Sequence, residues 1–250
     1  MFIFWAWLTV MWQPRRLKGI YKKSFYLLGH RGVRHIAPEN TLAAFSMAFE
    51  AGLDGIECDV QLSADGKLLL FHDFHMADGR LVTRLSWAEL KALKADMPLL
   101  EELFELARKY PKTLLNLEIK VEGWGGKLEA KMIEAIRASG LQDRILVSSF
   151  NPLSLLKLRL IAPDIYTALL YEAKHARLAL IVAAFLHVDA LHPDYSSVNM
   201  KLMKAAKAKN LMVNTWTVNE LSDMLHLREQ GVDAIMGDYP EKLKHFNSKA

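Results

Sequence analysis

Four short stretches of the chain carry the side chains that chemistry needs. "GHRG" sets His30 and Arg31 between glycines, and "IECDV" spaces Glu57 and Asp59 two apart. "FHD" holds His72 and Asp73, and "NLEIK" spaces Glu118 and Lys120 two apart. Residues i and i+2 of a strand share a face. Glu57 and Asp59 therefore point together, with Cys58 turned away, and Glu118 and Lys120 point together. Three carboxylates aimed into one low-dielectric mouth repel unless their pKa values rise or a cation sits between them. Oxygen donors suit a hard divalent cation, Mg²⁺ or Ca²⁺. The averted lone cysteine argues against a thiolate site. His30 and His72 bring imidazoles, one able to act as base and the other as acid. With Arg31 and Lys120 adding positive charge, the set suits an anionic phosphoryl group. Gly32 lets the backbone after the first strand turn closely.

These residues need a frame that gathers distant segments. Short apolar runs such as "FYLLGH", "GIECDVQL", "TLLNLEI", "RILVSSF" and "VDAIMGD" alternate with amphipathic stretches. Helices are predicted at 41–51, 99–110, 127–139, 152–161 and 200–210. Asn40 or Thr41 is placed to cap the first, and Pro152 follows a cap at Asn151. Apolar strands alternating with helices give a parallel sheet covered by helices. If "KLLLFH" is an accessory strand beside the second, eight strand–helix units remain. That is the count of a (β/α)₈ TIM barrel, of class α/β, with a small insertion at about 74–98 after the second strand. An open doubly wound sheet is the competing frame, but its first turn calls for GxGxxG where this chain has HRG. Barrel strands carry catalytic groups at their C-terminal ends. There the sequence collects His30 and Arg31, the acidic pairs, His72, Ser148–Ser149–Phe150, His192 and Trp216.

Composition limits the alternatives. The chain has 250 residues, about half of them apolar, a net charge of +4 and one cysteine. That fits one large core without disulfides in a reducing compartment. No basic stripe with interleaved aromatics is present, which excludes a nucleic-acid partner. The first 24 residues stand apart from the domain at 25–250: "MFIFWAWLTVMW" is followed by basic Arg15, Arg16, Lys18, Lys22 and Lys23. Twelve helical residues reach only about 18 Å, too short to cross a bilayer. The charge follows the apolar run rather than preceding it, which argues against a secretion signal. Three readings stay open: an interfacial anchor giving residues 1–23 peripheral membrane contact, a segment docked on the barrel, or translation starting at Met11. A cytoplasmic or membrane-associated protein is expected.

The block "GHRG-x₅-PENTLAAFSMAFEAGLDGIECDVQLSADGKLLLFHD", with "LNLEIK", "SSFNP", "WTVN" and "GVDAIMGDYP" in order after it, closely resembles the glycerophosphodiester phosphodiesterases. The similarity runs over about 25–243. It implies a TIM barrel and metal-dependent hydrolysis of a small-molecule glycerophosphodiester to an alcohol and sn-glycerol 3-phosphate. It gives His30 and His72 as the acid/base pair, Glu57, Asp59 and Glu118 as metal ligands, and Arg31 and Lys120 as phosphate contacts. Phe150 and Trp216 match positions that line the substrate side, and His192 falls near the metal end of the pocket. The nucleophile implied is the glycerol 2-hydroxyl, with direct attack by water as the alternative. A lysophospholipase D-like phosphodiesterase at the membrane is the second reading, and a catalytically silent binding barrel the third. Plain structural roles compete as well. Phe150 and Trp216 suit rim packing, and Asp238 in "MGDYP" suits either a contact to Arg31 or a turn.

Overall fold

The computed structural model describes Arg15, residues 23–121, Gly123 and residues 126–248. β1 (Tyr26–Gly29) pairs in parallel with β2 (Gly55–Leu62), and β3 (Leu68–Leu70) folds back antiparallel on the upper end of β2. β4 (Leu114–Ile119), β5 (Ile145–Ser149), β6 (Tyr166–Tyr171), β7 (Ala190–Pro193), β8 (Met212–Thr215) and β9 (Ala234–Gly237) continue in parallel. β9 then pairs with β1, so eight parallel strands close into a barrel. That closure rules out the open sheet and makes the fold a (β/α)₈ TIM barrel, with β3 as the accessory strand.

Around it run α1 (Leu42–Glu50), α2 (Trp87–Leu93), α3 (Leu100–Arg108), α4 (Lys127–Ser139), α5 (Pro152–Ile161), α6 (Ala176–Leu186), α7 (Met200–Ala208), α8 (Leu221–Gln230) and α9 (Pro240–Ser248). Local chemistry sets their starts. The Thr41 hydroxyl accepts from the Ala44 amide at 3.2 Å, and the Asn151 side chain accepts from the Leu153 amide at 2.9 Å ahead of Pro152. Ser86 and Glu89 form a reciprocal capping box on α2. This helix belongs to the segment after β3, which packs a small core of its own from Leu69, Met76, Val82, Leu85, Leu90 and Met97.

The period of two in the strands sorts the side chains into two layers. Ile56, Cys58, Val60, Leu115, Leu117 and Val147 join the core beneath the helices. Alternate residues fill the barrel itself: Tyr26, Leu28, Leu114, Leu146, Tyr166, Ala190, Met212 and Met236. Two positions further along β4, β5, β7 and β8 stand Asn116, Ser148, His192 and Asn214, all buried. They bond in pairs, Asn116 Nδ2 to Ser148 Oγ at 3.1 Å and Asn214 Nδ2 to His192 Nε2 at 3.0 Å. Two positions further still come Glu118, Phe150 and Trp216, at the mouth.

At the opposite end Arg15 and Lys23 are fastened to the barrel floor. The Arg15 guanidinium donates to both oxygens of Asp189, at 3.1 and 3.0 Å, and lies 4.7 Å over the Tyr166 ring. It also donates to the carbonyls of Asp164 and Ile165. Lys23 forms an ion pair with Asp54. Asp189 precedes β7 and Asp54 precedes β2, four places apart in the ring of eight strands. Arg15 and Lys23 are therefore fastened to opposite sides of the barrel floor. The expected anchor at residues 1–12 lies outside the described residues. Of the five basic residues that follow it, these two are committed to barrel carboxylates. Among the described residues no helix is long and apolar enough to cross a membrane.

Candidate active site

β2 is the spine of the site. β1 rises along the lower part of one edge, with Gly29 opposite Ile56, and β3 descends along the upper part, with Leu70 opposite Val60. His30 follows Gly29 directly. His72 lies two residues past Leu70, where the Phe71 amide still bonds the Asp59 carbonyl at 3.0 Å. Both strands pair with β2 and approach from opposite ends, because β3 is antiparallel. The two imidazoles thus arrive at the level of Glu57 and Asp59.

Glu57, Asp59 and Glu118 offer oxygens that all lie within 4.8 Å of one another, and all three residues are buried. Asp59 and Glu118 are paired residues of adjacent strands, which fixes their approach. Burial first, then the neighbouring charges of Asp59 and Glu118, pushes the Glu57 carboxyl well up. Burial and Asp59 raise Glu118 to about 7, against the opposing pull of Lys120 and Arg31. Lys120 Nζ stands 3.2 Å from Glu118 and 3.8 Å from Asp59, and Arg31 Nε stands 3.3 Å from Asp59. Two cationic side chains thus face three carboxylates, and Glu57 and Glu118 among them still resist ionisation. Such a cluster of hard oxygens fits a divalent cation.

Each histidine has its own carboxylate partner. His30 Nδ1 lies 2.8 Å from Asp238 Oδ1, and His72 Nδ1 lies 2.7 Å from Asp73 Oδ1. A carboxylate only accepts, so Nδ1 carries the proton and Nε2 is the free lone pair or second donor. His30 Nε2 is 4.0 Å from Glu57. Asp238 is itself held: Asn219 Nδ2 donates to its Oδ2 at 2.8 Å, and Arg34 Nε lies 3.4 Å from Oδ1. Burial works against its charge, but the bonds from His30 and Asn219 prevail and keep its carboxyl below the usual range.

The remaining expected residues divide. Phe150 and Trp216 meet edge to face with centroids 5.4 Å apart, and the indole donates to the His192 carbonyl at 2.9 Å. Arg31 binds Glu39 at 2.8 Å and approaches Asp59, so the contact expected from Asp238 goes to His30 and Arg34 instead. His192 is wholly buried in the barrel and bonded to Asn214. Burial lowers its pKa to about 3, which makes it a neutral interior ring.

The model of the glycerophosphoryl diester phosphodiesterase family matches residues 30–242. The chain belongs to that family. A glycerophosphodiester phosphodiesterase of Caldanaerobacter subterraneus subsp. tengcongensis is 35% identical over 237 residues, 87% of this chain and 95% of that protein. One from Bacillus altitudinis is 30% identical over 245 residues, 86% of this chain and 95% of that protein. The structure of an Oleispira antarctica phosphodiesterase in complex with the product sn-glycerol-3-phosphate superposes with a TM-score of 0.83 at 32% identity, covering 89% of this chain and 96% of that one.

In this member of the glycerophosphoryl diester phosphodiesterase family, three supporting residues escape a reading from motifs. Asn40, a candidate cap in sequence, leaves that task to Thr41. Its side chain donates to Asp59 Oδ2 at 2.8 Å and accepts from the Asp59 amide at 3.0 Å. Gln61, buried on the same face as Glu57 and Asp59, donates to the carbonyls of Phe71 and Asp73 at 2.8 and 2.7 Å and so fixes the loop of His72. Asn219 holds Asp238. For Gln61 a signal existed: the alternation E-x-D-x-Q continues one more step along the inward face.

Proposed function

We propose that the protein hydrolyses glycerophosphodiesters to an alcohol and sn-glycerol 3-phosphate, with His30 and His72 as the acid/base pair and Glu57, Asp59 and Glu118 as the ligands of one Mg²⁺ or Ca²⁺ ion. The observation that carries it is the buried three-carboxylate cluster with His30 Nε2 4.0 Å from Glu57, and both His30 and His72 backed by a carboxylate. When bound there, a hard cation supplies Lewis-acid stabilisation of charge on the phosphoryl oxygens.

The chain's own groups do the rest. Arg31 and Lys120 sit beside the cluster and supply positive charge for the equatorial phosphoryl oxygens. His30, held through Nδ1 by buried Asp238, presents Nε2 in a fixed direction, and Asp73 does the same for the more open His72. A neutral imidazole on one side takes the proton of the attacking glycerol hydroxyl, and the protonated one on the other side gives its proton to the departing alcohol oxygen. Water then opens the resulting cyclic phosphate to glycerol 3-phosphate with the two roles reversed. The Phe150–Trp216 corner gives the glycerol an apolar wall. The names of the relatives and the product held by the Oleispira antarctica enzyme favour glycerophosphodiesters over lysophospholipids as substrates. Peripheral membrane contact through residues 1–23 is part of the same reading.

The test is release of glycerol 3-phosphate from glycerophosphocholine, with lysophosphatidylcholine assayed in parallel. Activity should vanish with a chelator and return with Mg²⁺ or Ca²⁺. His30→Ala and His72→Ala should each cost about 10²–10⁴-fold in kcat. Retained activity in both variants, or hydrolysis of the lipid alone, would overturn the assignment.

A further inference from the structure

Twelve large apolar side chains are exposed among the described residues, and five of them lie on α5 and α6. Leu160 and Ile161 are 73% and 55% exposed at the floor end of α5, and Leu178 and Ile181 are 60% and 67% exposed along α6. The sequence of α6, ARLALIVAAFL, has one charged residue, Arg177, and its neighbour α5, PLSLLKLRLI, has Lys157 and Arg159. Neither helix carries an acidic residue. A helix that is apolar all round belongs in a core or against lipid. Here the inner face of α6 rests on the barrel through Ala179, Ala183 and Leu186, while its outer face meets water. At the mouth end the surface continues into a groove of about 500 Å³ lined by Phe150, Pro152, Leu178 and Val182 together with His175 and Glu172, the last paired with Lys174.

The start of the chain leads to the same flank. Arg15 bonds to the carbonyls of Asp164 and Ile165, just past α5, and to Asp189, just past α6. The fourteen residues before it, MFIFWAWLTVMWQP, contain no charge and three tryptophans. They join the barrel between the floor ends of the two helices that expose apolar rows. Tryptophan is the residue of the membrane–water boundary.

We propose that the outer face of α5 and α6 is a membrane-docking surface. The barrel would lie on its side against an anionic lipid bilayer, with Leu160, Ile161, Leu178 and Ile181 in the headgroup layer. The absence of acidic groups on both helices, and the exposed Arg177, suit negative headgroups. The mouth then opens parallel to the bilayer, so water-soluble substrate enters from the side. This rests on the membrane contact ascribed to residues 1–23 and extends it to a particular face of the barrel.

The test is co-sedimentation of the full-length protein with vesicles of phosphatidylcholine alone and of phosphatidylcholine with phosphatidylglycerol. Wild type should partition onto both, more strongly with phosphatidylglycerol. Leu160→Asp with Ile181→Asp should lower partitioning roughly a hundredfold, about tenfold for each apolar side chain withdrawn from the bilayer. Hydrolysis of soluble glycerophosphocholine by the double variant should match wild type, since neither residue touches the reacting groups. If wild type binds and the variant binds equally well, the N-terminal stretch docks alone and the flank proposal fails while membrane contact survives. If wild type leaves the vesicles in solution, both fail. A concentration-dependent dimer that the double variant abolishes would show that a second copy covers this face, and would also overturn the proposal.

Discussion

Glu118 makes a sharp test of whether the acidic cluster is built for a cation. In the chelated protein its carboxyl is raised from an ordinary 4.5 to about 7, first by burial and then by Asp59. Between those values the folded state binds more protons than the unfolded state, so stability falls as pH rises through this window and levels off above it. A shift of this size corresponds to about 3 kcal/mol. For a domain of this length that is a fall in Tm of about 6–12 °C between pH 4.5 and 8. Glu57, raised for the same reasons, acts in the same direction. Glu118→Gln keeps an acceptor for Lys120 but cannot ionise. In chelator, the variant should match wild type at pH 4.5 and exceed it by up to about 3 kcal/mol at pH 8. Saturating Mg²⁺ or Ca²⁺ should reverse the order. Binding at about a thousand times Kd adds about 4.1 kcal/mol to wild type, more than the variant's lead, and the variant, short of one ligand, should gain little. The assay is thermal unfolding across pH with and without the ion. A chelated variant no more stable than wild type at pH 8, or an equal metal response in both, would refute this account of the cluster.

Two further outcomes follow from local geometry. In Asp238→Asn, the Asn219 amide still donates toward position 238, so the new amide must turn its own NH₂ toward His30 Nδ1. That moves the ring proton to Nε2 and removes the lone pair that faces the site. kcat should fall about 10²–10⁴-fold with KM little changed, and ¹⁵N chemical shifts of His30 should report the exchanged tautomer; an unchanged kcat would show that Asp238 does not orient this ring. In Gly32→Ala, a Cβ at φ +88° would sit 2.7 Å from Ala44 Cβ and 2.8 Å from the Ala44 carbonyl carbon, so α1 must shift. Urea denaturation should show a loss of about 2–4 kcal/mol from strain and overpacking, and a loss under about 1 kcal/mol would mean the turn is looser than it looks.

Period-two patterning made most of the frame readable. It put Glu57 with Asp59 and Glu118 with Lys120, and it turned Cys58 into the helix layer. Helix limits shifted by a residue or two where a cap took the end position, as Thr41 does. What motif spacing could not supply was partnership across long separations. Asp238 reaches His30 over 208 positions, and only closure of the barrel by β9 against β1 brings them together. The direction of β3 was hidden too: "KLLLFH" is apolar whichever way it runs, yet its antiparallel course brings the backbone before His72 back alongside Asp59. His192 was misplaced because a polar residue near a strand end can lie one pleat below the mouth, where it bonds Asn214.

The two floor ion pairs of Arg15 and Lys23 bear on where this domain begins. The family match opens at His30, but Arg15 neutralises Asp189, which also receives Arg159 and the Thr167 amide, while Lys23 secures the entry to β2. Trimming the chain to the matched residues would remove β1 along with both cations, opening the barrel and leaving buried Asp189 with one cation fewer. The ion pairs that fasten the chain's start thus sit at the pole opposite the reacting groups, and a substitution among them can alter stability without touching the site.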